Sequence, residues 1–199
     1  MKTLQNVHKE SFIGCLKINI VDPPEGSVWG HFNDRVVNKS WVTNLARSFR
    51  EKIRNCEDRY RMDIAVRRSW VENLAEAKQF KEVTGVGIAN VPELKLTAAG
   101  KKEILEQDLW FMGGNHRRLA LIWYIGLLKQ ELNELEEDLS AEDVAMGRSS
   151  APATGTSATT QMTTLQIQVR KLKQKIEDSS MWTVALFDRG VPIHPIDRL

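Results

Sequence analysis

Residues 107–124, QDLWFMGGNHRRLALIWY, join an apolar run to a Gly-Gly pair, a histidine and two arginines, and then to a second apolar run. The first run, 107–112, is rich in large apolar residues and predicts a strand. The second predicts a helix whose apolar positions continue through Leu121, Ile125, Leu128, Leu132, Leu135 and Leu139, at spacings of four and three. A strand that ends on Gly113-Gly114 and passes at once into a helix anchors the order of all the other elements.

The chemistry of that junction admits two readings. Glycine permits positive φ and close approach of a ligand to the main chain. The first N–H groups of a helix lack internal partners and carry the positive end of the dipole, so a phosphate is stabilised there. Arg117 and Arg118 stand in the first turn, an unfavourable place for cations without a compensating anion. On this reading one of the two arginines forks onto phosphate oxygens and His116 donates beside it. On the other reading Gly-Gly is a tight turn, Asn115 is an N-cap, and the arginines pair with Glu103, Glu106 or Asp108. Neither G-x-x-x-x-G-K-[ST] nor G-x-G-x-x-G occurs, which argues against Walker-type and Rossmann sites.

Upstream, residues 16–21 (LKINIV) alternate apolar and polar positions and predict a strand, broken by Pro23, Pro24 and Gly26. Asn38 or Ser40 is placed to cap a helix that runs through Val42, Leu45, Ala46, Phe49 and Ile53. A second strand is expected over 63–68, a helix from Trp70 to Gly87, and a short strand over 93–97. Downstream, residues 140–161, centred on GRSSAPATGTSATT, predict a flexible connector. Met162, Leu165, Val169, Leu172 and Ile176 then repeat the seam spacing. Acidic residues 131–138 on the first helix face basic residues 170–175 on the second, which predicts an antiparallel hairpin over 125–178. Residues 181–188 (MWTVALFD) predict a buried strand, so the hairpin leaves the domain and returns to it. The order is α+β: a small mixed sheet with packed helices over 10–190, with 189–199 as a tail.

Composition narrows function more by exclusion. The chain has 199 residues, 42% hydrophobic and 27% charged, with a net charge of +2, so no global field draws it to nucleic acid or anionic membrane. No signal-peptide core or membrane span is apparent, and no membrane partner is expected. Cys15 and Cys56 are isolated, which fits an intracellular protein of the cytoplasm or nucleus. His8, His31, His116 and His194 lack ligand spacing, so no metal site is expected. The six tryptophans are expected to pack the core and cover faces of the small sheet, and Glu136-Glu137-Asp138 to form a solvated face. Arg54, Arg59, Arg61, Arg67 and Arg68 could contact nucleic-acid phosphates, or could bridge to the interleaved Glu57, Asp58 and Asp63.

The segment GGNHRRLAL after an apolar strand resembles the signature of the ParB/sulfiredoxin superfamily, in which ParB-type members show G-E-R-R-x-x-A, related domains G-x-H-R and sulfiredoxins G-G-C-H-R. NDRVVNKSWVTNLARSF resembles the ParB pattern of an arginine followed by a helix reading x-L-A-x-S-F, then a strand like DIAVRR. The resemblance covers roughly residues 16–137 and 181–188. It implies a ParB/sulfiredoxin-like fold with an inserted helical hairpin. It also implies a nucleotide-phosphate site at Gly113, Gly114, Asn115, His116 and Arg117, with Arg35 as a further contact. The nucleotide is CTP or ATP by this likeness, with Mg²⁺ where hydrolysis occurs, acting as a switch or in phosphoryl transfer. The sulfiredoxin cysteine and the ParB acid both fall on Asn115, which is neither nucleophile nor base. Two further readings follow: an interaction module whose hairpin binds a protein or self-associates, and a ParB-like nucleic-acid binder or nuclease.

Overall fold

The computed structural model describes residues 10–29, 36–147 and 164–190. Strands β1 (Phe12–Asn19), β2 (Ser27–Trp29), β3 (Met62–Val66), β4 (Leu109–Phe111) and β5 (Met181–Asp188) form one mixed sheet in the order β1-β5-β3-β4-β2. β1–β5 and β3–β4 are antiparallel, whereas β5–β3 and β4–β2 are parallel. The described α-helices are α1 (Lys39–Glu51), α2 (Leu74–Gln79), α3 (Ala98–Gln107), α4 (Asn115–Gly147) and α5 (Thr164–Ser180). The chain is α+β, as its pattern predicts.

The near-continuous apolar run of β5 reflects burial on both faces of the sheet. Trp182, Val184 and Leu186 join Met62, Ile64 and Val66 of β3 in a core with Phe49 of α1 and Leu121, Tyr124 and Leu128 of α4. Ala185 and Phe187 point the other way, into a smaller cluster with Cys15, Val83 and Val91. The seam of α4 and α5 extends the main core through Leu132, Leu135, Leu172 and Ile176. Lys173 Nζ lies 2.7 Å from Glu136 Oε1, and the Lys175 ammonium lies 5.9 Å from the Tyr124 ring. Later α5 residues thus meet earlier α4 residues, and the hairpin is antiparallel. α4 stays helical through Gly147, which corrects the connector expected from residue 140; Met162 and residues 148–161 lie outside the described residues.

Two expectations change between residues 70 and 107, and one helix appears that the sequence did not announce. The single helix from Trp70 to Gly87 is instead a 3₁₀ turn at Arg68–Trp70, the short α2, and a loop reaching a second 3₁₀ turn at Ile88–Asn90. The helix ends at Gln79, and beyond it Asp58 fixes the loop by drawing the Val83 and Thr84 N–H groups and the Thr84 hydroxyl onto its carboxylate. Burial pushes the Asp58 carboxyl up, but those hydrogen bonds and Arg61 outweigh it and hold the group below its ordinary value. Residues 93–97 make only two isolated bridges, Lys17 to Glu93 and Val71 to Leu96. α3 follows them, capped by Thr97, whose Oγ1 accepts the Gly100 N–H at 2.9 Å. Gly100 obscures that helix in the sequence, yet a Cβ there would stand 2.6 Å from the Trp70 carbonyl oxygen. The three-residue β2, inside the Pro/Gly stretch, was likewise not apparent from periodicity.

Candidate functional site

The Gly113-Gly114 junction lies where β4 passes into α4. Gly114 is the N-cap: its carbonyl accepts the Arg118 N–H at 2.9 Å, and Asn115 is already the first helical residue. The N-cap expectation for Asn115 is therefore corrected by one position. Gly114 holds φ +85°, and a Cβ there would come 2.7 Å from Met62 Sδ. Gly113 has open space where a Cβ would stand. The first-turn amides of Asn115, His116 and Arg117 find no acceptor among the described residues, at the positive end of the dipole of a 33-residue helix.

The polar side chains of the motif diverge to three other elements. His116 Nε2 accepts the Asn38 N–H at 2.9 Å, which places the ring proton of the neutral form on Nδ1. Asn38 in turn caps α1 by accepting the Trp41 N–H, and the Trp41 and His116 rings lie 5.9 Å apart. Arg118 Nε donates to the Ile20 carbonyl at 3.1 Å, and its guanidinium lies 5.1 Å from the Trp29 ring. Trp29 stacks on Phe111 with centroids 3.8 Å apart, tying β2 to β4.

Arg117 turns inward. Its Nη1 donates to the Tyr60 carbonyl at 2.7 Å, and its guanidinium lies 5.5 Å from the Tyr60 ring and 5.3 Å from the Trp182 ring. Burial depresses its pKa from the ordinary arginine value. Neither Arg117 nor Arg118 forms an ion pair with a carboxylate among the described residues. Glu103, expected as a partner, instead accepts from Trp70 Nε1 at 2.8 Å and lies 3.5 Å from Arg67 Nη1. The alternative of a turn balanced by acidic side chains is replaced by arginines seated on backbone carbonyls and aromatic faces.

The structure thus gathers Gly113, Gly114 and Asn115 at the mouth of the turn and sends His116, Arg117 and Arg118 elsewhere. Arg35 lies outside the described residues. Tyr60, Trp182, Met62 and Asn38 support the motif; the sequence marked Asn38 only as a helix cap and gave no spacing that singled out the other three. Arg117, Tyr60 and Trp182 border a cavity of about 300 Å³ beside the end of α1. A larger one, about 610 Å³, lies between α3 and residues 93–96, with mixed acidic and basic rims.

Among the described residues no helix is long and apolar enough to cross a membrane, and no three His, Cys, Asp or Glu side chains are grouped to hold a metal ion. No family model, curated protein or solved structure matches the chain.

Proposed function

We propose that this domain binds a nucleotide through its phosphates at the start of α4, in the manner implied by the resemblance to ParB/sulfiredoxin-like domains. The supporting observation is the set of first-turn amides that open beside Gly113 without an acceptor among the described residues. Asn115 supplies an amide at the position where relatives carry a thiol or an acid, so the reading is binding and switching rather than sulfur chemistry or hydrolysis. In a thermal-shift panel, CTP or ATP, with or without magnesium, raises Tm. Gly113→Glu, which sets a carboxylate in the open space beside the amides, abolishes the rise while leaving the apo Tm unchanged. Absence of a shift with every nucleotide overturns the proposal.

The hairpin supports a second reading, an interaction module, because Val144 and Ile167 expose 57% and 40% of their surface on α4 and α5. Sedimentation of the Val144→Glu/Ile167→Glu variant tests it: loss of self-association relative to the unaltered chain supports it, and an unchanged monomer removes self-association.

A further inference from the structure

We propose that the cavity beside Tyr60 is a second ligand site, for a small aromatic anion: one planar ring carrying a phosphate or carboxylate. The cavity, about 300 Å³, is at the small end of ligand pockets and suits a single ring with its head group. Its walls are aromatic. Phe49 and Trp182 are almost wholly buried with centroids 6.2 Å apart, and the Tyr60 ring stands beside them.

The charge around that ring is unbalanced. Three guanidiniums surround Tyr60, with Arg59 at 4.7 Å, Arg117 at 5.5 Å and Arg54 at 5.8 Å from its centroid. Lys52 also borders the cavity. Glu57 is shared among three of these cations, 3.3 Å from Arg59, 3.9 Å from Arg54 and 3.9 Å from Lys52. Glu51 is the carboxylate that borders the space itself. Three cations, Lys52, Arg54 and Arg117, therefore border the cavity against one carboxylate, Glu51, with Arg59 and Glu57 beside it.

Shared exposed pairs contribute little, and like charges around one ring repel. Arg117 is the inner member. Its only partners among the described residues are one carbonyl and two aromatic faces, which leaves its second amino group without an acceptor there. An anion seated in the cavity would accept charge-assisted hydrogen bonds from Arg117 and relieve the repulsion, while the walls favour a ring over a bare ion. An ordinary salt-bridged surface patch lacks both the aromatic walls and the half-buried cation.

This site goes beyond the proposed nucleotide site. It uses the Arg117 side chain with Arg54 and Lys52, and Arg59 over the Tyr60 ring beside them, and none of the α4 amides. The test uses the full chain with labelled tryptophan indole nitrogens, because the Trp182 indole N–H is held by the Tyr60 carbonyl and reports on the cavity. Trp182→Phe assigns its resonance. Phenyl phosphate and benzoate are titrated, with inorganic phosphate and phenol as separate halves. At least one aromatic anion is expected to shift the Trp182 resonance saturably, with both halves weaker by about tenfold or more. Arg54→Ala/Arg59→Ala weakens that binding by about tenfold while keeping the nucleotide-induced Tm rise, and Gly113→Glu does the reverse. No saturable shift by either anion, affinity for inorganic phosphate equal to that of the aromatic anions, or full affinity in the double arginine variant overturns the proposal.

Discussion

Arg117 and Trp182 donate to the same acceptor, the Tyr60 carbonyl, through Nη1 at 2.7 Å and Nε1 at 2.9 Å. The start of α4 and the core strand β5 are thereby fastened to the residue that leads into β3. With either donor removed, the carbonyl retains the other; with both removed it is orphaned. Arg117→Ala and Trp182→Phe are each expected to cost about 1–2 kcal/mol, and the double variant more than their sum by about 1 kcal/mol. Urea unfolding of the four proteins measures the cycle, and strict additivity would show that the shared acceptor does not couple them.

The two glycines of the motif have opposite tolerances. Gly114 sits at φ +85° against Met62, so Gly114→Ala is expected to lose about 1–2 kcal/mol, mainly from backbone strain, since the Met62 thioether can move aside. Gly113→Ala meets open space and is expected to leave stability within about 0.5 kcal/mol. Equal losses at the two positions would contradict the assignment of Gly114 as the helix cap.

His116 is a strut between two helices. Its Nε2 holds the Asn38 amide that precedes α1, so His116→Ala is expected to cost about 1 kcal/mol. Amide exchange localises the effect: protection falls at Asn38 and in the first turn of α1, with the central strands unchanged. Uniform loss across the domain would mean that the histidine acts through general packing.

What could be read from the chain, and what could not, divides by the range of the contacts involved. The apolar content of β5, the helix opened by Gly113-Gly114 and the three-and-four seam of the hairpin are local patterns that appear where expected, whereas the strand expected over 16–21 starts four residues earlier and spans Phe12–Asn19. Residues 70–87 have helix-compatible composition, but Asp58 captures the Val83 and Thr84 amides from 25 and 26 residues away. α3 was concealed by Gly100, which serves close packing on Trp70. At the site, the glycines were legible because conformation at a strand–helix junction is local. The fates of the polar side chains were not, since His116 reaches back 78 residues, Arg117 57 and Arg118 98.

The hairpin is held by its seam rather than by its charges. Leu172 is buried in the main core, so Leu172→Ala is expected to cost about 2–4 kcal/mol. The Lys173–Glu136 pair is short but half-exposed, so Lys173→Ala is expected to cost less than about 1 kcal/mol and to become neutral in high salt. Denaturant midpoints at low and high salt separate the two. A larger loss for Lys173 would reverse the assignment.

Cys15 makes alkaline stability a readout of the smaller core. Burial pushes its thiol from 9.0 up to about 11, although the Arg61 guanidinium beside it pulls the other way. In the folded chain the thiol therefore keeps its proton through a range in which the unfolded chain ionises. Its contribution is fully present below about pH 9 and is lost as pH rises toward about 11, by at most about 2–3 kcal/mol. Lysines and tyrosines also titrate there, so the comparison is with Cys15→Ala. That variant begins less stable at pH 8, because it leaves a small void against Val83 and Phe187. It is then expected to lose less between pH 9 and 11, so that the two urea-midpoint curves converge. Parallel curves would show that Cys15 titrates near its ordinary value and that its cluster admits water.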